Sequence, residues 1–174
     1  DNLLGQVYLV PFWNGRLKRM DVEAIIGYRG FLKLAKNSGE IVDIKAHVVW
    51  DQEPFELTYG TKETLEHKPL SPDKRGTKRR GAYAIATFRD GTQRIDFMWG
   101  DEIERHRDLS QGAWELDAQR KRTGKLKADS PWTVWEDDMW CKTVVRKQAK
   151  FLPLSATKER PVTYQEVAIK DEAR

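Results

Sequence analysis

The chain has 174 residues, 39% of them hydrophobic and 33% charged, with a formal net charge of +4. That size and balance fit one ordinary domain with a real core and a heavily charged surface. The single cysteine, Cys141, excludes an internal disulfide framework and a cysteine-based zinc site. No run approaches the ~20 apolar residues that span a bilayer, and no basic-then-apolar leader marks a secretory signal.

The first half reads as strands. Val7 to Phe12 is rich in β-branched and aromatic residues, and Pro11 places it at an edge or near a strand end. Asn14-Gly15 is a hairpin turn signal, and Asp21 to Gly27 is the returning strand. From Tyr28 to Asn37 the period changes. Phe31, Leu32, Leu34 and Ala35 make an apolar helical face, and Arg29, Lys33 and Lys36 share another. Gly39 sits where a helix C-cap glycine belongs.

Ile41 to Trp50 alternates again, with Ile44, Ala46, Val48 and Trp50 on one side. Phe55 to Tyr59 and Thr64 to His67 are shorter strands, and residues 71–80 form a basic loop punctuated by Pro and Gly. Ala82 to Phe88, Asp90-Gly91 and Arg94 to Trp99 give the strongest hairpin. Gly100-Asp101 opens a helix to about Asp108, with Asp101 as N-cap and Glu104 three residues on. Residues 109–130 lack a period and read as a mobile basic loop containing Arg120-Lys121-Arg122. Ser130-Pro131 then leads into a helix that runs to about Phe151 and stops before Pro153. Residues 156–174 read as a loose polar tail behind a core domain of 1–155. The order of elements predicts an α+β fold with a largely antiparallel sheet and packed helices.

Signatures of catalysis are absent from the sequence. There is no GxxxxGK[ST] loop for a nucleotide, no GxSxG and no HExxH, so no catalytic residue, metal ligand or cofactor is assigned. His47, His67 and His106 are scattered without metal spacing and read as surface or satisfied core histidines. Asp101-Glu102 and Asp137-Asp138 resemble paired nuclease carboxylates but stand where the acids of a helix N-terminus belong.

Charge carries more information. Residues 61–127 hold sixteen Lys/Arg against eleven Asp/Glu, whereas 1–60 hold seven against eight and 128–174 eight against eight. On the last helix Trp140, Cys141, Val144, Val145, Gln148, Phe151 and Leu152 lie on or near one side. Lys142, Arg146 and Lys150 stand at i, i+4 and i+8 on the other, with Lys147 beside them. Stacked cations without acids between them repel, and a polyanion crossing that face relieves the repulsion and releases counterions. The plainer alternative is a solvated face. Trp50, Trp99 and Trp140 fall at core-compatible positions, while Trp13, Trp114, Trp132 and Trp135 lie in or beside polar segments. Stacking on unpaired bases is expected of at most one or two of these.

Four strings, in order, resemble the RecT family of phage recombination proteins. LLGQVYLVPFWNGR is similar to the opening of the family core, and IIGYRGFLKLAKNSGEI to its next block. DEIERHRDLS resembles the short acidic helix, and SPW followed by DDMWCKTVVRKQAKFLPLS the C-terminal signature helix. Together they cover roughly residues 3–155.

The resemblance implies a β-β-β-α-like annealing core that binds single-stranded DNA and anneals complementary strands without ATP, as a homo-oligomeric ring or filament in the cytoplasm of a bacterial host. It also implies a partner exonuclease and often a host single-strand binding protein. Carried over by motif, Lys142, Arg146, Lys147 and Lys150 become DNA-backbone residues, Arg29 and Lys33 follow from the Gly-Tyr-Arg-Gly block, and Arg105 and Arg107 flank His106 as weaker candidates.

The chain departs from the family pattern in its basic 109–130 segment and in Trp140, where a small residue is expected. It also begins at Asp1 rather than Met, as a fragment would, without the helical segment that precedes the first block. The alternatives are a generic nucleic-acid-binding module without annealing activity, a metal-dependent nuclease and a protein-interaction module.

Overall fold

A computed structural model describes residues 5–119 and 121–155; the predicted tail, Arg120 and the side chain of Trp13 lie outside the described part. Strands β1 (Val7–Asn14) and β2 (Arg19–Ile26) pair antiparallel along their whole length, from Val7 opposite Ile26 to Asn14 opposite Arg19. The turn that Asn14-Gly15 signals spans residues 15–18. Asn14 is the last strand residue, its Oδ1 accepts from the N–H groups of Arg16 and Leu17, and Lys18 takes the positive φ. This hairpin pairs with no other strand among the described residues. Its base is fixed to helix α1 (Tyr28–Asn37), where the Gly27 N–H donates to the Gln6 carbonyl at 2.8 Å. A Cβ at Gly27 would strike the Gly5 carbonyl, and one at Gly30 the Gln6 carbonyl, so both positions require glycine for backbone contact. Helix α1 ends at Asn37 with Ser38 as its C-cap, and Gly39 follows at φ +77°, as the sequence predicts.

The central sheet has the order β3 (Ile41–Trp50), β6 (Arg79–Phe88), β7 (Gln93–Trp99), antiparallel throughout. Strands β4 (Phe55–Thr58) and β5 (Thr64–His67) form a separate hairpin over one face, where Phe55, Leu57 and Leu65 pack on Val49, Tyr83 and Phe97. The other face is covered by helices α2 (Gly100–Leu109) and α4 (Glu136–Ala149). Ala82 and Ala84 of the middle strand meet Met98, Ile103, Trp140, Val144 and Val145 there. Small residues on β6 let the helix approach closely. A register shift at Val49/Trp50 buries both residues where alternation predicts one.

Beneath the β4–β5 hairpin, Glu53 is 5% exposed. Its carboxylate accepts from the N–H groups of Trp50 at 2.8 Å and Leu70 at 3.0 Å, and lies 3.1 Å from His67 Nε2. A carboxylate only accepts, so Nε2 carries a proton, and His67 Nδ1 lies 3.2 Å from the Tyr83 hydroxyl. The outer edge of β7 is closed by side chains. The N–H groups of Ile95, Phe97 and Trp99 donate to Glu63, Tyr59 and Glu102. No strand among the described residues pairs with the outer edge of β3.

Two elements differ from expectation at the C-terminal side. Residues 109–130 are not one loop: a single 3-10 turn (Gln111–Ala113) leads into strands β8 (Trp114–Leu116) and β9 (Arg122–Leu126), which pair. The segment at Ser130-Pro131 that leads into the last helix is itself a short helix. Ser130 caps a short α3 (Pro131–Val134), and Trp135 leaves helical backbone before α4 begins. Helix α2 starts one residue earlier than Asp101. Glu102 accepts from the N–H of Trp99 at 2.9 Å, which makes Trp99 the N-cap. The α+β architecture with antiparallel sheets stands as predicted.

Candidate nucleic-acid interface

Helix α4 is oriented by its buried side. Trp140 and Val144 are 2% and 0% exposed. Gln148 reaches through the core, and its Nε2 donates to the carbonyls of Ala84 and Arg94 at 3.0 Å each. The acids Glu136, Asp137 and Asp138 occupy the first turn, and Arg146 and Lys147 the last, each complementing the helix dipole. With the buried side fixed, Lys142, Arg146, Lys147 and Lys150 face a groove of about 540 Å³. Its other walls are Phe31 of α1, His106 and Leu109 at the end of α2, Trp132 of α3, and Leu154.

The electrostatics of this groove are one-sided. Lys142, Arg146 and Lys150 form no ion pair among the described residues, whereas Lys147 lies 3.8 Å from Glu102 and donates to the Phe97 carbonyl at 3.4 Å. The Lys142 ammonium titrates below its ordinary range, because it is partly buried and because Arg146 repels it. An anion in the groove would remove that penalty.

The other predicted residues stand apart. Arg29 and Lys33 are exposed on α1 and do not line the groove. Arg29 is held protonated still more firmly by its hydrogen bond with Tyr28. Arg105 pairs with Asp101 at 3.0 Å, and Arg107 with Glu104 at 3.8 Å and Asp108 at 3.3 Å, so both are engaged on their own helix. Three of the four carboxylates considered for metal are also engaged: Asp101 by Arg105, Glu102 by the Trp99 N–H and Asp137 by Arg79. Asp137 and Glu136 bind Arg79 at 2.6 and 2.8 Å.

The aromatics sort differently from their sequence positions. Trp50 and Trp140 are buried as expected, but Trp99 is 48% exposed. It follows Phe97 on the hairpin-covered face and stands beyond the end of that cover, edge-on to Phe97 at 4.9 Å. Of the polar-flanked tryptophans, Trp132 is buried, Trp114 is half-buried with its indole N–H unpaired among the described residues, and Trp135 is exposed. Phe151 is exposed too, because α4 ends at Ala149 and the helical period no longer applies; Arg94 lies over its ring at 4.5 Å. Trp140 is accommodated by Gly100, where a Cβ would stand 3.1 Å from the indole.

Sequence reasoning missed a second basic cluster. Arg75 and Arg79 both stack on Trp50, at 3.9 and 4.6 Å, and Arg80 lies 5.6 Å from Trp99. Its signal was the run KRGTKRR, which reads as loop although Arg79 and Arg80 already belong to β6.

The RecT family model matches residues 1–174 of the chain. Protein RecT of Escherichia coli is 33% identical over 165 residues, 94% of this chain and 55% of that protein. The chain thus spans about half the length of this curated relative. Both matches agree with the resemblance carried by the sequence blocks: the chain belongs to the RecT family.

Proposed function

We propose that the chain is a non-enzymatic protein of homologous recombination, which binds single-stranded DNA and anneals complementary strands without ATP, metal or other cofactor. Membership of the RecT family supports this reading. The observation that carries it is the groove under α4, where Lys142, Arg146 and Lys150 face one another without an acidic partner among the described residues. Phosphates running along the groove would satisfy those cations, and the apolar walls from Phe31, Leu109 and Trp132 would accept sugar and base surface. Backbone-directed binding carries no sequence information, so affinity is expected to be indifferent to sequence. Arg29 and Lys33 offer further cations on α1, outside the groove, while Arg105 and Arg107 contribute least because their own helix already pairs them.

Side-by-side assembly of copies into a ring or filament would join the grooves, and a phage exonuclease and a host single-strand binding protein would deliver the strand. A bacterial cytoplasm suits such a role. No described helix is long and apolar enough to cross a membrane.

The test is anisotropy of a labelled oligo-dT across a salt series, with annealing of complementary labelled strands measured without ATP. Arg146→Ala with Lys150→Ala should weaken binding. It should also shallow the salt slope by about 0.7 for each phosphate no longer neutralised, roughly 1.4 for the two. An unchanged slope would remove the groove from the binding site, and wild-type binding without acceleration would leave a binding module only.

A further inference from the structure

A second basic surface lies at the N-terminal ends of α2 and α4. The groove is lined by the C-terminal end of α2 and by α4 from Met139 onward, and the two share no lining residue. Here a cleft of about 450 Å³ is walled by Lys78, Arg79, Arg80, Trp99 and Trp140, with Gly100 at its base. Arg79 is fully engaged, braced between Trp50, Glu136 and Asp137. By contrast, Lys74, Arg75, Lys78 and Arg80 form no ion pair among the described residues. Arg75 lays its guanidinium over Trp50, which fixes its orientation.

We propose that Trp99 and the Arg75–Arg80 edge form a second site for an unpaired nucleic-acid strand, separate from the α4 groove. The proposal rests on the single-strand reading of that groove and names where a second strand would be received. Trp99 is half-exposed, T-shaped to Phe97 and with the Arg80 guanidinium 5.6 Å over its ring, so an aromatic held by its neighbours and a cation meet at one exposed place. Charge fixes the direction in which a strand would lie. Asp101, Glu104 and Glu136 share the lining of the cleft and repel phosphate, whereas Lys78 and Arg80 attract it. The backbone would follow Lys78 and Arg80, and a base would turn toward Trp99. Stacking on one aromatic tolerates any base, so a strand of any sequence would be received.

The test separates the two surfaces. Trp99→Ala, and independently Lys78→Glu with Arg80→Glu, should leave binding of one labelled oligo-dT within twofold of wild type, while the annealing rate of complementary strands falls about tenfold. Trp99→Phe, which keeps a stacking face, should recover most of that rate. Annealing at wild-type speed in both variants would overturn the proposal. Equal loss of first-strand binding would also overturn it, by placing Trp99 in the first site. If wild type binds but does not anneal, the annealing reading fails by itself. The site is then decided by photocrosslinking an iodouracil oligonucleotide to protein whose groove is saturated with oligo-dT: attachment at Trp99 supports it, and its absence refutes it.

Discussion

Replacing Glu53 by Gln keeps shape and removes one charge, and the structure sets what that costs. Burial alone would push the Glu53 carboxyl up, but hydrogen bonds from the Trp50 and Leu70 N–H groups and from His67 outweigh it and hold the group below the ordinary carboxylate range. An amide offers one oxygen. If it takes the position shared by Trp50 and His67, the amide NH2 faces the Leu70 N–H, donor against donor. One charge-assisted bond is broken and one donor is stranded, which together cost about 2–4 kcal/mol. With a urea slope of about 2 kcal/mol/M, the unfolding midpoint should fall by roughly 1–2 M at pH 7. A folded pKa below the unfolded one gives stability that is present above about pH 4.3 and is lost as pH falls through the folded value. The gap between wild type and Glu53→Gln should therefore be full at pH 7 and should close on acidification below about pH 4. Tryptophan fluorescence in urea measures it. A difference below about 0.5 kcal/mol at pH 7, or a gap that widens in acid, would refute the account.

Gln148 should tolerate loss of its amide better than gain of a charge. Gln148→Leu gives up two neutral hydrogen bonds but also an unpaired buried oxygen, and should cost about 1 kcal/mol in urea unfolding. Gln148→Glu sets a buried carboxylate against two carbonyls and should cost at least about 3 kcal/mol; equal effects of the two would count against this bridge. Burial pushes the Cys141 thiol up to about 11, with Asp137 and Asp138 adding to the shift. Its reaction with a disulfide reagent at pH 8 should accordingly be slow in the native protein and fast in urea, and equal rates would contradict the placement.

Helix α1 was legible because one of its faces is apolar over several turns, and the β6–β7 hairpin because two apolar runs flank the Asp90-Gly91 turn; their ends fall at or near the predicted residues. Strands β8 and β9 escaped because they are three and five residues long and mostly exposed, so nothing imposes an alternation on them. Period places Trp99 and Phe151 in the core, but each sits one step past the element that covers its neighbours. The cations of α4 were legible as a stripe because they share a helix. The engagement of Arg105 and Arg107 was less so, since i, i+3 and i, i+4 spacing permits pairing without deciding it against solvent. The groove itself needed Phe31, Leu109 and Trp132 from three other helices, a meeting that no local pattern records.

The closed edge of β7 has a bearing on how the protein is handled. Two of its three caps, Tyr59 and Glu63, come from the loop of the β4–β5 hairpin, and Glu53 beneath that hairpin loses its hold in acid. Acid that loosens the hairpin would bare a seven-residue strand with unpaired N–H groups, while β3 at the opposite border is already open among the described residues. A sheet with two naked borders is a template for strand-by-strand aggregation. Low-pH elution should therefore precipitate the protein at an acidity where its helices are still folded.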